Sequence, residues 1–460
     1  MIFSSSLFLF IFLPILLCVY YLSAEKYKNM ILLIASLIFY AWGEPKNVLI
    51  MLLSITVNYM LGIWIEEYIS ARKVFLMITI IYNIGILFIF KYLNFGVEIF
   101  NVLGGGRKIT IPQITLPIGI SFYTFQTLSY VVDVYRGHVK AQRKLLNLAL
   151  YVSLFPQLIA GPIVRYKDVE SQINRRETSL EKMYVGIIRF AIGFSKKILL
   201  ADQLAVLVDI IFAREYPSII ASWIGIIAYT LQIFFDFSGY SDMAIGLGKM
   251  FGFDFLENFD YPYMSKTIKE FWRRWHMSLG TWFRDYLYIP LGGSKRGRLR
   301  TYINLFVVFS LTGLWHGASF NFIVWGGFYA ILLIIERIGL GKIFEKLPVW
   351  MGHIYSIFAI MIGWVFFRSD GLESAINYFL SMFVPTGRDI ANFNFIMNGK
   401  YWACIIIGIF FSMPHIRLKA FIEEKNGRFI VYNFGIIIMF LIAICYMVGS
   451  GYSPFLYFRF

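Results

Sequence analysis

Long apolar runs separated by short polar segments dominate this chain. A helix needs about 20 apolar residues to cross a bilayer. The runs 4–23, 29–46, 48–66, 74–93, 115–134, 184–209, 218–237, 350–367, 400–414 and 429–449 each predict such a helix. The segment 144–163 is equally apolar, but Pro156 and the Gly161–Pro162 pair interrupt it. Interrupted backbone survives at membrane depth only where protein shields it, so this piece is expected to be buried or re-entrant.

Two further apolar runs, 302–315 and 320–335, are bounded by Arg298 and Arg300 on one side and by Glu336 and Arg337 on the other. As one helix they are too long for the bilayer. As two they are short: about 15 residues at 1.5 Å each give roughly 22 Å, against a core of about 30 Å. A hairpin resolves this, with both charged ends on one side and the turn deep in the membrane at Gly313-Leu314-Trp315-His316-Gly317. His316 then becomes an ionisable group inside the bilayer, a costly placement that usually marks function. The alternative is a neutral histidine satisfied by a helix carbonyl.

Residues 264–280 show helical rather than span-like patterning. Ile268, Phe271, Trp272, Trp275 and Leu279 form one apolar stripe, opposite Lys266, Lys269, Glu270, Arg273 and Arg274. That predicts one amphipathic helix lying at the membrane interface, with His276 at the edge of the stripe. A break is also predicted at 234–243, FFDFSGYSDM, where Asp236 and Asp242 bracket Ser238 and Gly239. Intramembrane carboxylates mark proton or ion paths, or else orient broken helices.

Composition makes the membrane reading compulsory. Of 460 residues, 59% are hydrophobic and 15% charged, where soluble domains carry about 45–50% and about 25%. The net charge of +15 falls in short loop clusters, as positive-inside topology requires, which leaves no nucleic-acid footprint. With the Lys26/Lys28 cluster inside, both chain ends are expected outside. The first 23 residues lack a basic n-region and a cleavage site, so they read as a retained span. Cys18, Cys404 and Cys445 have no metal-ligand or redox spacing and are expected to be buried and inert. The Gly104–Gly106 run with Arg107 and Lys108 is a loop without the context of a phosphate-binding motif. His138, His353 and His415 lack polar neighbours and read as structural or interfacial. No metal site is expected, and neither a G-x-S-x-G elbow nor an H-E-x-x-H pair occurs.

A series of motifs in fixed order resembles the membrane-bound O-acyltransferase family, and within it the alginate O-acetylation branch. It opens with MIFSSSLFLFIFLP and LPIGISFYTFQTLSYVVDVYRG at 116–137. FPQLIAGPIVR at 155–165, GFSKKILLADQLA at 193–205 and QIFFDFSGYSDMAIG at 232–246 follow. The densest stretch is ENFDYPYMSKTIKEFWRRWHMSLGTWFRDYLYIPLGG at 257–293, then GLWHG at 313–317. The resemblance implies an all-α polytopic membrane protein, one domain over 1–460, with re-entrant and interfacial helices around a tunnel. About 11–12 spans are expected. It implies that His316 matches the family's essential histidine and His276 a second, upstream one. Trp315, Asp236, Asp242 and Asp285 are supporting candidates.

The same resemblance implies transfer of an acyl group, expected to be acetyl, from a cytoplasmic thioester such as acetyl-CoA or an acyl carrier. No tightly bound cofactor is expected. The destination is an exported cell-envelope polysaccharide, reached through a secreted or periplasmic acyltransferase partner at the bacterial cytoplasmic (inner) membrane. Within 429–460, a final helix precedes an aromatic ending, Phe455 to Phe460, whose Tyr457 resembles an acyl-accepting tyrosine of such systems. An interfacial aromatic belt is the alternative. His316 is expected to act as general base, with His276 positioning the donor or stabilising an oxyanion. Arg273, Arg274, Lys295 and Arg296 are candidates for donor phosphates, or simply positive-inside charge. The same chemistry would also serve D-alanyl transfer to teichoic acid. A proton-coupled transporter or flippase built on Asp236, Asp242 and His316 is the reading from another class.

Overall fold

The computed structural model describes residues 1–104, 109–159, 161–214, 217–385, 397–414 and 427–450. Every regular element among them is helical. Six helices are long and apolar enough to cross a membrane: Val48–Glu67, Ile69–Leu103, Ile219–Met250, Phe320–Lys346, Val349–Arg368 and Val431–Gly449. Phe8–Leu22 and Gly399–Phe411 are apolar but shorter. The expected spans near 29–46 and 115–134 are the helices Glu25–Ala41 and Ile120–Arg136. The chain is thus a membrane-embedded, multi-pass helical protein.

Contacts divide the chain into two compact units. One holds Met1–Phe190 and Met243–Leu256, the other Ala191–Asp242 and Glu257–Phe460. In the first unit the broken segment behaves as its prolines and glycines require. Leu145–Ser153 and Phe155–Leu158 are separate helices, and almost every side chain in them is buried. Polar side chains zip the apolar helices together. Asn58 and Asn83 exchange amide hydrogen bonds, and the buried Thr127 hydroxyl donates to Asn83 Oδ1 at 3.0 Å. Such bonds hold helices where lipid supplies no hydrophobic drive.

In the second unit a hairpin forms, with its turn after His316 rather than at the predicted Gly313–Gly317, because the helix runs on through Gly313 to His316. Arg298–His316 and Phe320–Ile335 pack side by side, with Gly317, Ala318 and Ser319 as the turn. Two glycines set the closeness. A Cβ on Gly313 would run into the Phe322 carbonyl, and one on Gly326 into the Phe309 carbonyl. The premise of short arms does not hold, however. The first arm has 19 residues, and the second continues past Glu336 through a π-helical stretch, Glu336–Leu340, to end at Lys346 after 27 residues. Glu336 does not stop the helix because its carboxylate is used inside the protein. It accepts the backbone N–H groups of Ile268 at 2.5 Å and Lys269 at 3.0 Å, and the Tyr355 hydroxyl at 3.1 Å.

Three other expectations are corrected. The chain does not break at 234–243; Ile219–Met250 is one uninterrupted helix of 32 residues. The stripe at 264–280 is not one helix. Ile268–Arg274 ends at Trp275, His276 takes a left-handed conformation (φ 46°, ψ 53°), and Met277–Phe283 starts anew. Finally, only Cys404 is buried; Cys18 and Cys445 lie on exposed faces of apolar helices.

Candidate active site

The two histidines singled out from sequence both end or begin a helix, and both are buried in the second unit. His316 is the last residue of Arg298–His316 and is 6% exposed; His276 precedes Met277–Phe283 and is 2% exposed. One aromatic cluster contains them. The His276 ring meets Phe237 edge-on at 4.7 Å and lies 6.2 Å from the Trp315 ring. Trp315 in turn is 4.9 Å from the His316 ring, which touches Trp325 and Phe367 at 5.1 Å each. Trp315, one of the supporting candidates, therefore stands between the two histidine rings.

The local chain explains how each ring is aimed. Glu336 and Thr267 cap the start of Ile268–Arg274: the carboxylate takes the first amides, and Thr267 Oγ1 accepts the Glu270 N–H at 3.1 Å. Phe271 and Trp275 then anchor that turn against Tyr329 and Trp364. The left-handed step at His276 swings its ring inward. Such a conformation is uncommon outside glycine, tolerated more by histidine than by most residues, and concentrated at functional sites.

Asn258, which sequence reasoning passed over, completes the His276 setting. Its Oδ1 lies 3.0 Å from His276 Nδ1, accepts the Ser278 hydroxyl at 2.9 Å and accepts the Ser278 backbone N–H at 3.3 Å. His276 Nε2 is buried and has no hydrogen-bond partner among the described residues. The same holds for the hydroxyls of Ser238 and Ser241 on the Ile219–Met250 helix. These serines follow Phe234 and Phe237 at helical spacing, on the face that meets Trp275 and His276. Burial of the His276 ring, which lies outside the spanning segments, pushes its pKa down to about 3, so it is neutral at ordinary pH.

The carboxylates are placed differently. Asp236 pairs with Lys197 at 2.8 Å, and Lys197 also holds Asp202 at 2.5 Å. Asp242 pairs with Lys196 at 2.6 Å. Each intramembrane carboxylate thus has a cation from the neighbouring π-helical stretch, Lys196–Ala201. This is how a buried charge is kept, and it accounts for both residues as helix-pairing groups. Asp285 bonds Arg284 at 2.9 Å. Arg273, Lys295 and Arg296 are exposed, while Arg274 is tied to Glu270 and Asp260. His353 lies 3.3 Å from the Ser265 carbonyl, and His138, expected to lack a polar neighbour close in sequence, has one in Asp133 at 3.2 Å. Tyr457, His415 and residues 417–426 lie outside the described residues.

Residues 138–368 match the model of the membrane-bound O-acyltransferase family. Over its whole length the chain is 42% identical to a probable alginate O-acetylase of Pseudomonas putida, covering all of that protein. It is 31% identical, again over its whole length, to a peptidoglycan O-acetyltransferase of Helicobacter pylori, of which it covers 98%. A teichoic acid D-alanyltransferase of Bacillus subtilis is 32% identical over 47% of this chain and 58% of its own length.

Proposed function

This chain belongs to the membrane-bound O-acyltransferase family, in its alginate O-acetylation branch, and from that premise we propose that it passes an acetyl group from a cytoplasmic thioester across the membrane for O-acetylation of an exported polysaccharide. The observation that carries this reading is the burial of His276 and His316 in one aromatic cluster, in a chain similar from end to end to O-acetylating relatives. The inner membrane of a bacterium is its place, and a secreted or periplasmic acyltransferase completes delivery to the polymer.

The chemistry asked of the site is modest. An acceptor hydroxyl oxygen attacks the thioester carbonyl carbon while His316 takes the hydroxyl proton. The C–S bond then breaks, the leaving thiolate recovers that proton from the imidazolium, and an ester and a free thiol result. A general base contributes about 10²–10⁴-fold. Tyr457 is the proposed first acceptor, and a tyrosine with a pKa near 10 needs such a base at neutral pH. His276 positions the thioester donor, and the exposed Arg273, Lys295 and Arg296 attract its phosphates.

The test is mass spectrometry of the C-terminal peptide from purified membranes, for wild type and His316→Ala. An acetyl adduct on Tyr457 that is present in the first and absent in the second supports the relay. An alanyl adduct would move the substrate to the D-alanyl chemistry of the Bacillus relative, which matches 47% of this chain. Acylation undiminished in His316→Ala would overturn the scheme. The transporter alternative needs Asp236 to exchange protons; its ion pair with Lys197 argues against that use.

A further inference from the structure

We infer that Asn258 is a positioning residue that locks His276 in its Nδ1–H form, so that Nε2 meets the substrate as a hydrogen-bond acceptor. The inference rests on the reading that His276 belongs to the acyl-transfer site, and it deepens that reading by fixing what His276 can and cannot do there.

The argument is one of donors and acceptors. A backbone N–H can only donate. The Ser278 N–H therefore identifies the Asn258 atom facing it as the carbonyl oxygen, because the amide turned the other way would set donor against donor. The Ser278 hydroxyl bonds the same oxygen. His276 Nδ1 lies 3.0 Å from that oxygen, and only a protonated Nδ1 is attractive to it. Since the buried ring is neutral, its second nitrogen carries a lone pair and no hydrogen. That nitrogen, Nε2, is buried with no partner among the described residues. Buried polar atoms of native proteins are nearly always satisfied, and one left open in a candidate active site is where a ligand group docks.

An acceptor lone pair repels a developing oxyanion, so His276 does not stabilise one. It receives an N–H or O–H from the substrate. The thioester donors of this reaction class carry amide N–H groups along the arm that leads to sulfur, and these are the groups we assign to Nε2. The other source of the same chemistry is the acceptor hydroxyl. The left-handed backbone at His276 serves the same end, since it brings Nδ1 to Asn258 while Nε2 faces away from it.

The test uses the full chain in lipid nanodiscs with 15N-labelled histidine, the His276 signals being identified by their loss in His276→Gln. Wild type is expected to show a pyridine-type Nε2 and a protonated Nδ1. Asn258→Leu should convert the ring toward the Nε2–H form, and Asn258→Asp, which still accepts at Oδ, should keep Nδ1 protonated. In transfer assays with acetyl-CoA, Asn258→Leu should raise the thioester KM by about tenfold, one hydrogen bond's worth, and Asn258→Asp should restore most of it. A fall in the transfer rate at saturating acetyl-CoA with an unchanged thioester KM instead assigns Nε2 to the acceptor hydroxyl. A protonated Nε2 in wild type, or an unchanged KM and an unchanged saturated rate in Asn258→Leu despite a switched tautomer, would overturn the inference. Unchanged transfer in His316→Ala strikes the reaction scheme alone and leaves the tautomer result standing.

Discussion

Adding one methyl group at Gly313 should disable the site without touching any group that does chemistry. The Cβ of an alanine there would lie 3.1 Å from the Phe322 carbonyl carbon and 3.3 Å from the Gly326 nitrogen, with the Phe322 oxygen nearer still. Carbon atoms rest at about 3.5–4.0 Å. The carbon contact alone therefore asks for about half an ångström, and the oxygen raises the opening of the hairpin to the order of 1 Å. Both obstacles are backbone, so no side chain can swing aside. Overpacking of this kind costs about 1–3 kcal/mol, and Gly313→Ala should sit at the upper end. His316 lies three residues further along the same helix. A displacement of about 1 Å at a reacting group is worth about 10²-fold in rate. Gly327→Ala is the control: it lies in the other arm, and its Cβ would meet nothing within 4 Å. It should be neutral or stabilise by up to about 1 kcal/mol through helix propensity. The assay is unfolding in mixed micelles together with acetyl transfer, on all three proteins. If Gly313→Ala matches the control in both, the close approach of the two arms does not hold His316 in place.

Three further outcomes follow from the same geometry. His276 is held far below the ordinary histidine value of about 6.5, so between about pH 6.5 and pH 3 the unfolded chain binds a proton that the folded chain refuses. This contribution is fully present above pH 6.5 and is lost as pH falls, by up to about 1.4 kcal/mol per pH unit; unfolding measured from pH 7 to pH 4 should show a shallower slope in His276→Gln. Lys197→Met leaves the buried Asp236 and Asp202 without their shared cation and should destabilise by about 3–5 kcal/mol, with Lys197→Met/Asp236→Leu recovering part of it in the same unfolding assay. Glu336→Gln keeps the side-chain shape but weakens the cap on Ile268–Arg274; transfer should fall several-fold while expression and insertion stay intact, as read by acetyl transfer per mole of protein.

How much of this could be read from residues alone depends on where the decisive partner lies. The hairpin was legible because its signals are local: two apolar runs, a basic start at Arg298 and Arg300, and a glycine at the turn. The break at His276 was not, since Ile268, Phe271, Trp275 and Leu279 stay in helical phase across it. Only Asn258, eighteen residues upstream, shows why the backbone turns there. Asp236 misled for the mirror-image reason. A carboxylate in an apolar run looks like a break until Lys197 arrives from another helix to neutralise it. Glu336 likewise looked like the end of a span, because the amides it caps belong to a segment almost seventy residues away.

The pairing of Lys197 with Asp202 is five residues apart along one continuous rod. On a regular α-helix that spacing separates two side chains by about 140°. It closes here because Lys196–Ala201 is wound as a π-helix, whose hydrogen bonds run from i to i+5. A single residue of extra length is thus stored in this turn. A chain shortened by one residue between Lys197 and Asp202 would revert to plain α geometry and leave the following helix near its present phase, because the wider turn takes up its extra residue with little net rotation. Lys197 and Asp202 would then stand four residues apart, about 40° round an α-helix, and would still meet. KKILLAD is therefore a composition constraint more than a length constraint: its charged residues are fixed by their partners, whereas the loss of one of the apolar residues between Lys197 and Asp202 is a change the rod can absorb.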